Sequence, residues 1–317
     1  MLDVPVLLII FNRPDTTARV FSSIREAQPA RLYIASDGPR ENREGELLRV
    51  NAARDVVAAI DWPCKIDHLY QKVNLGCGRA VKAAVDWFFE KEEMGIILED
   101  DCLPDQSFYQ FCQELLNKYK NDTRIGMITG NNWGFDSAQP GKSYTFSKHF
   151  NIWGWASWRR SWQYHDLSMS YVNTETEASI MNNISCNAVY KERCKKEIDE
   201  FLAKRIDTWD YQWSVVAYAY NMLSIRPSKN LVANIGFGED STHTMKGFRK
   251  EFLKTEKMEF PIIHPEIVCP DFLSDRCAEK FRYSDEPKKK SSLKKLKKLV
   301  RKLLLKEKIL TVMMQNK

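Results

Sequence analysis

Residues 4–133 alternate short apolar runs with segments of helical spacing, and this alternation is the strongest constraint on the fold. The runs are VPVLLIIF (4–11), RLYIASDG (31–38), KIDHLYQ (65–71), GIILEDD (95–101) and RIGMITGNNW (124–133). Between them lie FNRPDTTARVFSSIREA, ENREGELLRVNAARDVVAAI (41–60), NLGCGRAVKAAVDWFFEKE (74–92) and PDQSFYQFCQELLNKYKND, which read as helices with their leading turns. Strands alternating with helices predict an α/β domain with a mainly parallel central sheet and helices on both faces. Ligands of such sheets bind beyond the carboxyl ends of the strands. Two runs end in acids there: Asp37 after the second, and Glu99, Asp100 and Asp101 after the fourth. After residue 135 the pattern weakens into an aromatic block, FNIWGWASWRRSWQYHD (150–166), then charged helical segments and a loop-like stretch, NIGFGEDSTHT (234–244).

Charge is unevenly distributed. Pro287–Lys317 holds eleven Lys and one Arg against one Glu, so it carries +11 of a chain whose total is +6, leaving residues 1–286 at −5. A body-wide basic surface for nucleic acid is therefore not indicated. In the tail, Leu293, Leu296, Val300, Leu303 and Leu310 share one helical stripe with lysines around it. That pattern predicts a basic amphipathic helix on an anionic membrane surface, with a short coiled coil or a solvated tail as alternatives. No segment has the length of a membrane-spanning helix, and VPVLLIIF, preceded by Asp3 and short, is a poor signal peptide. Eight cysteines form no CxxC pair, and are expected as reduced, mostly buried thiols of a cytoplasmic protein.

Three adjacent carboxylates raise a physical problem. Like charges repel, and burying them unpaired forces protonation or costs several kcal/mol as an order of magnitude. A divalent cation solves it: Mg²⁺ and Mn²⁺ take carboxylate oxygens, often one or two from protein with phosphates and water completing the shell. A solvated loop or an N-cap cluster is the plainer alternative. The chain has no GxGxxG after its first run and no GxxxxGK[ST], so such a sheet needs another way to neutralise a diphosphate, and a carboxylate-held metal is one.

From about residue 4 to 245 the chain resembles glycosyltransferases of the GT-A fold, specifically relatives of the N-acetylglucosaminyltransferase that initiates complex N-glycans. The segments that carry the resemblance are PVLLIIFNRP, SDG, LEDDCLPDQSFYQFC, FNIWGWASW, TWDYQW and RPSKNLVANIGFGEDSTH, in the family's order. The resemblance implies an inverting, metal-dependent transfer from a UDP-sugar to a saccharide or glycolipid acceptor, with Mn²⁺ or Mg²⁺ as cofactor. Asp101 would ligate the metal, with His243 from the closing loop near it and Asp240 beside that. Asp100 would bind the ribose and Glu99 the donor sugar. Asp37 would accept from a uracil nitrogen, Arg13 would line the nucleotide pocket, and Arg79 or Lys82 would add positive charge near the donor. Asp210 would be the base that takes the acceptor proton. In this last segment the family shows two adjacent aspartates after the Trp, whereas here Trp209 is followed by Asp210 and Tyr211. The tryptophans of 153–162 would stack on sugar or fill core.

The expected organisation is a GT-A domain over 1–265, with a nucleotide-binding half (1–135) and an acceptor half (136–265), a linker (266–286) and the basic tail (287–317). The alternatives are a sugar nucleotidyltransferase, disfavoured because FNRPDTT lacks phosphate-loop glycines, and a non-catalytic membrane-associated scaffold.

Overall fold

The computed structural model describes residues 2–132, 139–236 and 254–282. Strand β1 (Val6–Ile10) lies near the middle of an eight-stranded sheet with β2 (Arg31–Ser36), β3 (Lys65–Tyr70), β4 (Met94–Glu99), β6 (Ile125–Thr129), β7 (Tyr144–Ser147), β8 (Trp155–Trp158) and β9 (Leu223–Pro227). The order is β3-β2-β1-β4-β8-β6-β9-β7. β8 is antiparallel to both β4 and β6, and β7 is antiparallel to β9; the other six strands share one direction. The mainly parallel α/β sheet expected from the sequence is therefore present. A separate two-stranded ribbon pairs β5 (Cys102–Pro104) with β10 (Val232–Asn234), antiparallel.

The unbroken apolar runs follow from burial on both faces. Val6, Leu8 and Ile10 of β1 enter one core cluster, while Leu7 and Ile9 enter the other. The first cluster is closed by α1 (Pro14–Ala27), α2 (Glu46–Val56) and α4 (Gln106–Lys118), through residues such as Phe21, Ala53 and Phe111. The second is closed by α3 (Cys77–Lys91), α5 (Arg159–Trp162) and α8 (Asp210–Ala219), through Phe88, Trp162 and Trp213. Two further helices, α6 (Glu177–Ile184) and α7 (Ala188–Leu202), precede α8. Asp105 caps α4, its carboxylate accepting from Ser107 N.

The aromatic block resolves mainly into core. Trp155 and Trp158 lie on β8, and with Trp162 they are buried; Trp153 is half-buried. Burial of indole area, rather than sugar stacking, is what Trp155, Trp158 and Trp162 do. The thiols differ from expectation: Cys102 and Cys112 are buried, Cys77, Cys186 and Cys277 are exposed, and the rest are intermediate.

The segment expected as a linker, 266–286, contains α9 (Phe272–Arg282), and the compact unit runs to Lys280. Its acids hold it down. Asp275 pairs with Arg226 at 2.9 Å and accepts from Ser147 Oγ and Lys148 N, all beneath the surface. Glu279 accepts from or shares a proton with His149 Nε2 at 3.1 Å. Polar partners, rather than an apolar stripe, dock this helix, which is why hydrophobic periodicity does not reveal it. Among the described residues no helix is long and apolar enough to cross a membrane. The predicted amphipathic helix of 287–317 lies outside the described residues.

Removing one partner of a buried ion pair strands the other charge, at a cost of about 3–5 kcal/mol. Asp275→Ala is expected to lower the urea unfolding free energy by about that much. A loss below about 1 kcal/mol would show that Arg226 finds water or another partner.

Candidate functional site

The acidic triplet sits where β4 ends. Glu99 is the last residue of the strand, and Asp100 and Asp101 form the turn into β5. The turn is held from two sides. Phe11 N, just past β1, donates to Asp100 Oδ2 at 3.1 Å. Ile235 N, just past β10, donates to the Asp101 carbonyl at 2.8 Å. Arg13, at the start of α1, places its guanidinium between the two aspartates, 3.0 Å from Asp101 Oδ2 and 3.7 Å from Asp100 Oδ1. Gly236 packs directly on Asp101; a Cβ there would fall 2.4 Å from Asp101 Oδ2, so only glycine leaves that carboxylate in place.

One guanidinium does not balance this cluster. Burial, then the charges of Asp101, Asp100 and Asp210, hold the Glu99 carboxyl well above the usual carboxylate range, against an opposing effect from Arg13. Burial, then Asp101, pushes Asp100 up to about 7. The site is thus built with more negative charge than its own residues neutralise.

Asp210, from the other half of the chain, lies within electrostatic reach of this cluster. It opens α8 and accepts from the Thr208 hydroxyl. Its charge acts on both Glu99 and Cys77. An aromatic wall supports that turn: Trp209 stacks on Trp155 at 5.6 Å, and His165, stacked on Trp162 at 4.1 Å, bonds the Trp209 carbonyl through Nε2 at 3.0 Å. Burial holds His165 down to about 4, so it is neutral and Nε2–H is the donor.

The glycine loop before α3 serves a close approach. Asp207 Oδ1 accepts from Gly78 N at 3.1 Å, capping the positive end of α3 with a carboxylate. Side chains at Gly76 and Gly78 would collide with that carboxylate, at 2.6 and 2.7 Å. Cys77 between them is solvent-accessible at its mouth yet walled by protein. Burial, then Glu99, Asp207, Asp210 and Asp37, pushes its thiol up to about 12, which keeps it protonated.

The remaining predicted residues are placed as follows. Asp37, at the end of β2, accepts from Gly38 N, Leu75 N and Asn74 Nδ2, so both oxygens already hold the loop before α3; burial, opposed by these backbone bonds, raises its carboxyl. A uracil nitrogen would compete with these internal donors. Lys82 pairs with Asp86 one turn along α3, and Asp86 also accepts from Trp162 Nε1. Arg79 is exposed on the first turn of α3. His243 and Asp240 lie outside the described residues, which resume after Gly236 only at residue 254. Sequence reasoning missed Asp207, Cys77, Gly236 and Arg54. Arg54 clamps the ends of β2 and β3 through the Asp37 and Gln71 carbonyls. Asp207, three residues before Asp210, was the most findable of these.

Among the described residues no three His, Cys, Asp or Glu side chains are set to hold a metal ion together. What the site offers a cation is the Asp101 carboxylate beside two carboxyls whose affinity for protons is raised by burial and by their acidic neighbours. That donor set fits a hard divalent ion completed by oxygen ligands from outside the protein.

No family model matches the chain, and no curated protein does. Among solved structures it is similar to mouse xyloside xylosyltransferase 1, with 11% identity and a TM-score of 0.36 over 69% of this chain and 83% of that one. It is similar to S. aureus TarS 1–349, with 7% identity and a TM-score of 0.39 over 74% of this chain and 60% of that one. It is also similar to a UDP-glucose pyrophosphorylase complexed with UDP-glucose, with 9% identity and a TM-score of 0.35 over 72% and 91%. Similarity at this level carries no argument about activity.

A carboxyl whose folded-state pKa is raised binds its proton more tightly in the folded protein. Its contribution to stability is present below the unfolded value and is lost as pH rises through the folded value, here from about 4 to about 7. In chelator, the melting temperature of Asp100→Asn relative to the native chain is therefore expected to climb between pH 5 and pH 8. A pH-independent difference would mean that Asp100 titrates normally. Gly236→Ala is expected to move the Asp101 carboxylate and break its 3.0 Å pair with Arg13, which a crystal structure of the variant would show.

Proposed function

We propose that the chain is a GT-A-type, metal-dependent, inverting glycosyltransferase that moves a sugar from a UDP-sugar to an acceptor hydroxyl. The observation that carries the reading is the Glu99-Asp100-Asp101 turn at the carboxyl edge of the parallel strands, with Asp210 close enough for its charge to act on Glu99. The family resemblance of the surrounding segments supports the same assignment.

In this reading Asp101 would hold Mn²⁺ or Mg²⁺, with His243 as a further ligand. The cation would supply positive charge to the diphosphate as it leaves. The chain's own residues do the rest. Glu99 accepts hydrogen bonds from donor-sugar hydroxyls. Asp100 faces the ribose, and Asp37 fixes the loop that lines the base. Arg13 shares the phosphate side of the site, with Arg79 and Lys82 further out on α3. Asp210, positioned by Thr208 and the Trp209 turn, takes the acceptor proton as the hydroxyl attacks the anomeric carbon. Attack from the face opposite the leaving group inverts the anomeric centre. The tail's eleven lysines and apolar stripe support docking on the cytoplasmic face of an anionic membrane, and with it a role in bacterial surface-polysaccharide or lipid-linked glycan synthesis.

Calorimetric titration with UDP tests the binding half. Binding is expected to require Mn²⁺ and to be lost in Asp101→Ala; no UDP binding with any metal, in folded protein, would overturn the UDP-donor reading. Once a turned-over donor is found, Asp210→Asn is expected to lower the transfer rate about 10²- to 10⁴-fold with UDP affinity kept. An undiminished rate would move the base elsewhere.

A further inference from the structure

Helix α9 has its polarity inverted. An ordinary surface helix buries its apolar stripe and shows charge to water. Here Asp271, Ser274, Asp275 and Glu279 face inward and are buried, with Arg226, Ser147 and His149 as partners. The outward positions are Phe272, Leu273, Arg276, Cys277 and Lys280. Phe272 is 56% and Leu273 61% exposed, on a turn where exposed charge would cost nothing. The segment leading into α9 also exposes Ile263 and Ile267, at 54% and 66%. Since α9 is held in place by its buried acids, its outer side chains are free of any packing duty within the compact unit. Exposed large apolar side chains such as the adjacent Phe272 and Leu273 mark a contact surface.

The surrounding charge selects the partner. Residues 1–286 carry −5 in total, yet the outer face of α9 shows Arg276 and Lys280, and the chain that follows carries +11 over Pro287–Lys317. Apolar side chains interleaved with cations fit a surface that offers anionic headgroups above hydrocarbon. Nucleic acid would not call for an exposed Phe-Leu pair, and a purely apolar protein partner would not call for the lysines. We propose that the outer face of α9, led by Phe272 and Leu273, inserts into an anionic lipid surface, so that the folded domain and not the tail alone binds the membrane. The insertion would fix the orientation of the sheet relative to the bilayer, which a tethering tail cannot do. This inference stands apart from the sugar-transfer chemistry and deepens only the membrane part of the functional reading.

The test uses the full chain and sedimentation with vesicles of phosphatidylglycerol and phosphatidylcholine, against phosphatidylcholine alone. The native chain is expected to bind the anionic vesicles. The double variant Phe272→Ser/Leu273→Ser is expected to bind them about tenfold or more weakly, with its urea midpoint unchanged. As a control, Leu47→Ser/Leu48→Ser removes two side chains of similar exposure, 56% and 74%, at α2, and is expected to bind like the native chain. Unchanged binding of the Phe272/Leu273 variant would overturn the inference while leaving the tail as anchor. Equal weakening by both double variants would overturn it as non-specific. Failure of the native chain to bind vesicles would overturn the whole membrane assignment without touching UDP binding.

Discussion

Glu99, Asp100 and Asp101 gather at the end of β4 with the charge of Asp210 acting on Glu99, and Arg13 salt-bridges Asp100 and Asp101. Burial first, and then the charges of the neighbouring acids, explain why Glu99 and Asp100 hold protons so tightly. The turn that carries them is also restrained. Backbone donors from beyond β1 and β10 grip it, and Gly236 leans on Asp101 where no side chain would fit. Such a site is costly in the free protein, and the proposed cation and anionic ligand would offset that cost. Strain of this sort, stored in an otherwise well-packed fold, is the usual mark of function.

The two halves of the chain are joined at this site by an unusual contact. Asp207 caps α3 from the segment before α8, and the glycines of the loop before α3 exist to let it approach. The same short stretch, Asp207 to Asp210, then sends a second carboxylate toward Glu99. The indoles of Trp155, Trp162, Trp209 and Trp213 form a buried layer under it, with neutral His165 holding the Trp209 carbonyl. The second half of the chain therefore contributes Asp210 from a rigid base rather than from a free loop, which would suit the proposed proton transfer.

Much of the first half of the chain was legible in the sequence because its signals are local. Runs such as VPVLLIIF bury both faces and need no partner to be recognised, Asp105 announces α4, and the acidic triplet falls at a strand end as its position in the alternation demands. The second half was not. β7 to β10 are three to five residues long, and β8 is set by its pairing to β4 and β6 from distant points of the chain. Its sequence, WASW, reads equally as a ligand-stacking patch. α9 escaped notice because it packs through Asp275 and Glu279, inverting the pattern by which helices are found. Asp207 and Gly236 matter through neighbours more than 100 residues away in sequence, and no local pattern encodes that.

The central claim is that the turn after β4 is short of positive charge until a cation and a diphosphate arrive. Binding should then drive protons off Asp100 and Glu99. Calorimetry of UDP with Mn²⁺ at pH 6.5, repeated in buffers of different ionisation enthalpy, counts those protons. The account predicts net proton release by the native chain and a smaller release by Asp100→Asn. Tight binding with no proton release would contradict it, because the carboxyls would already be ionised and the charge shortage would not exist.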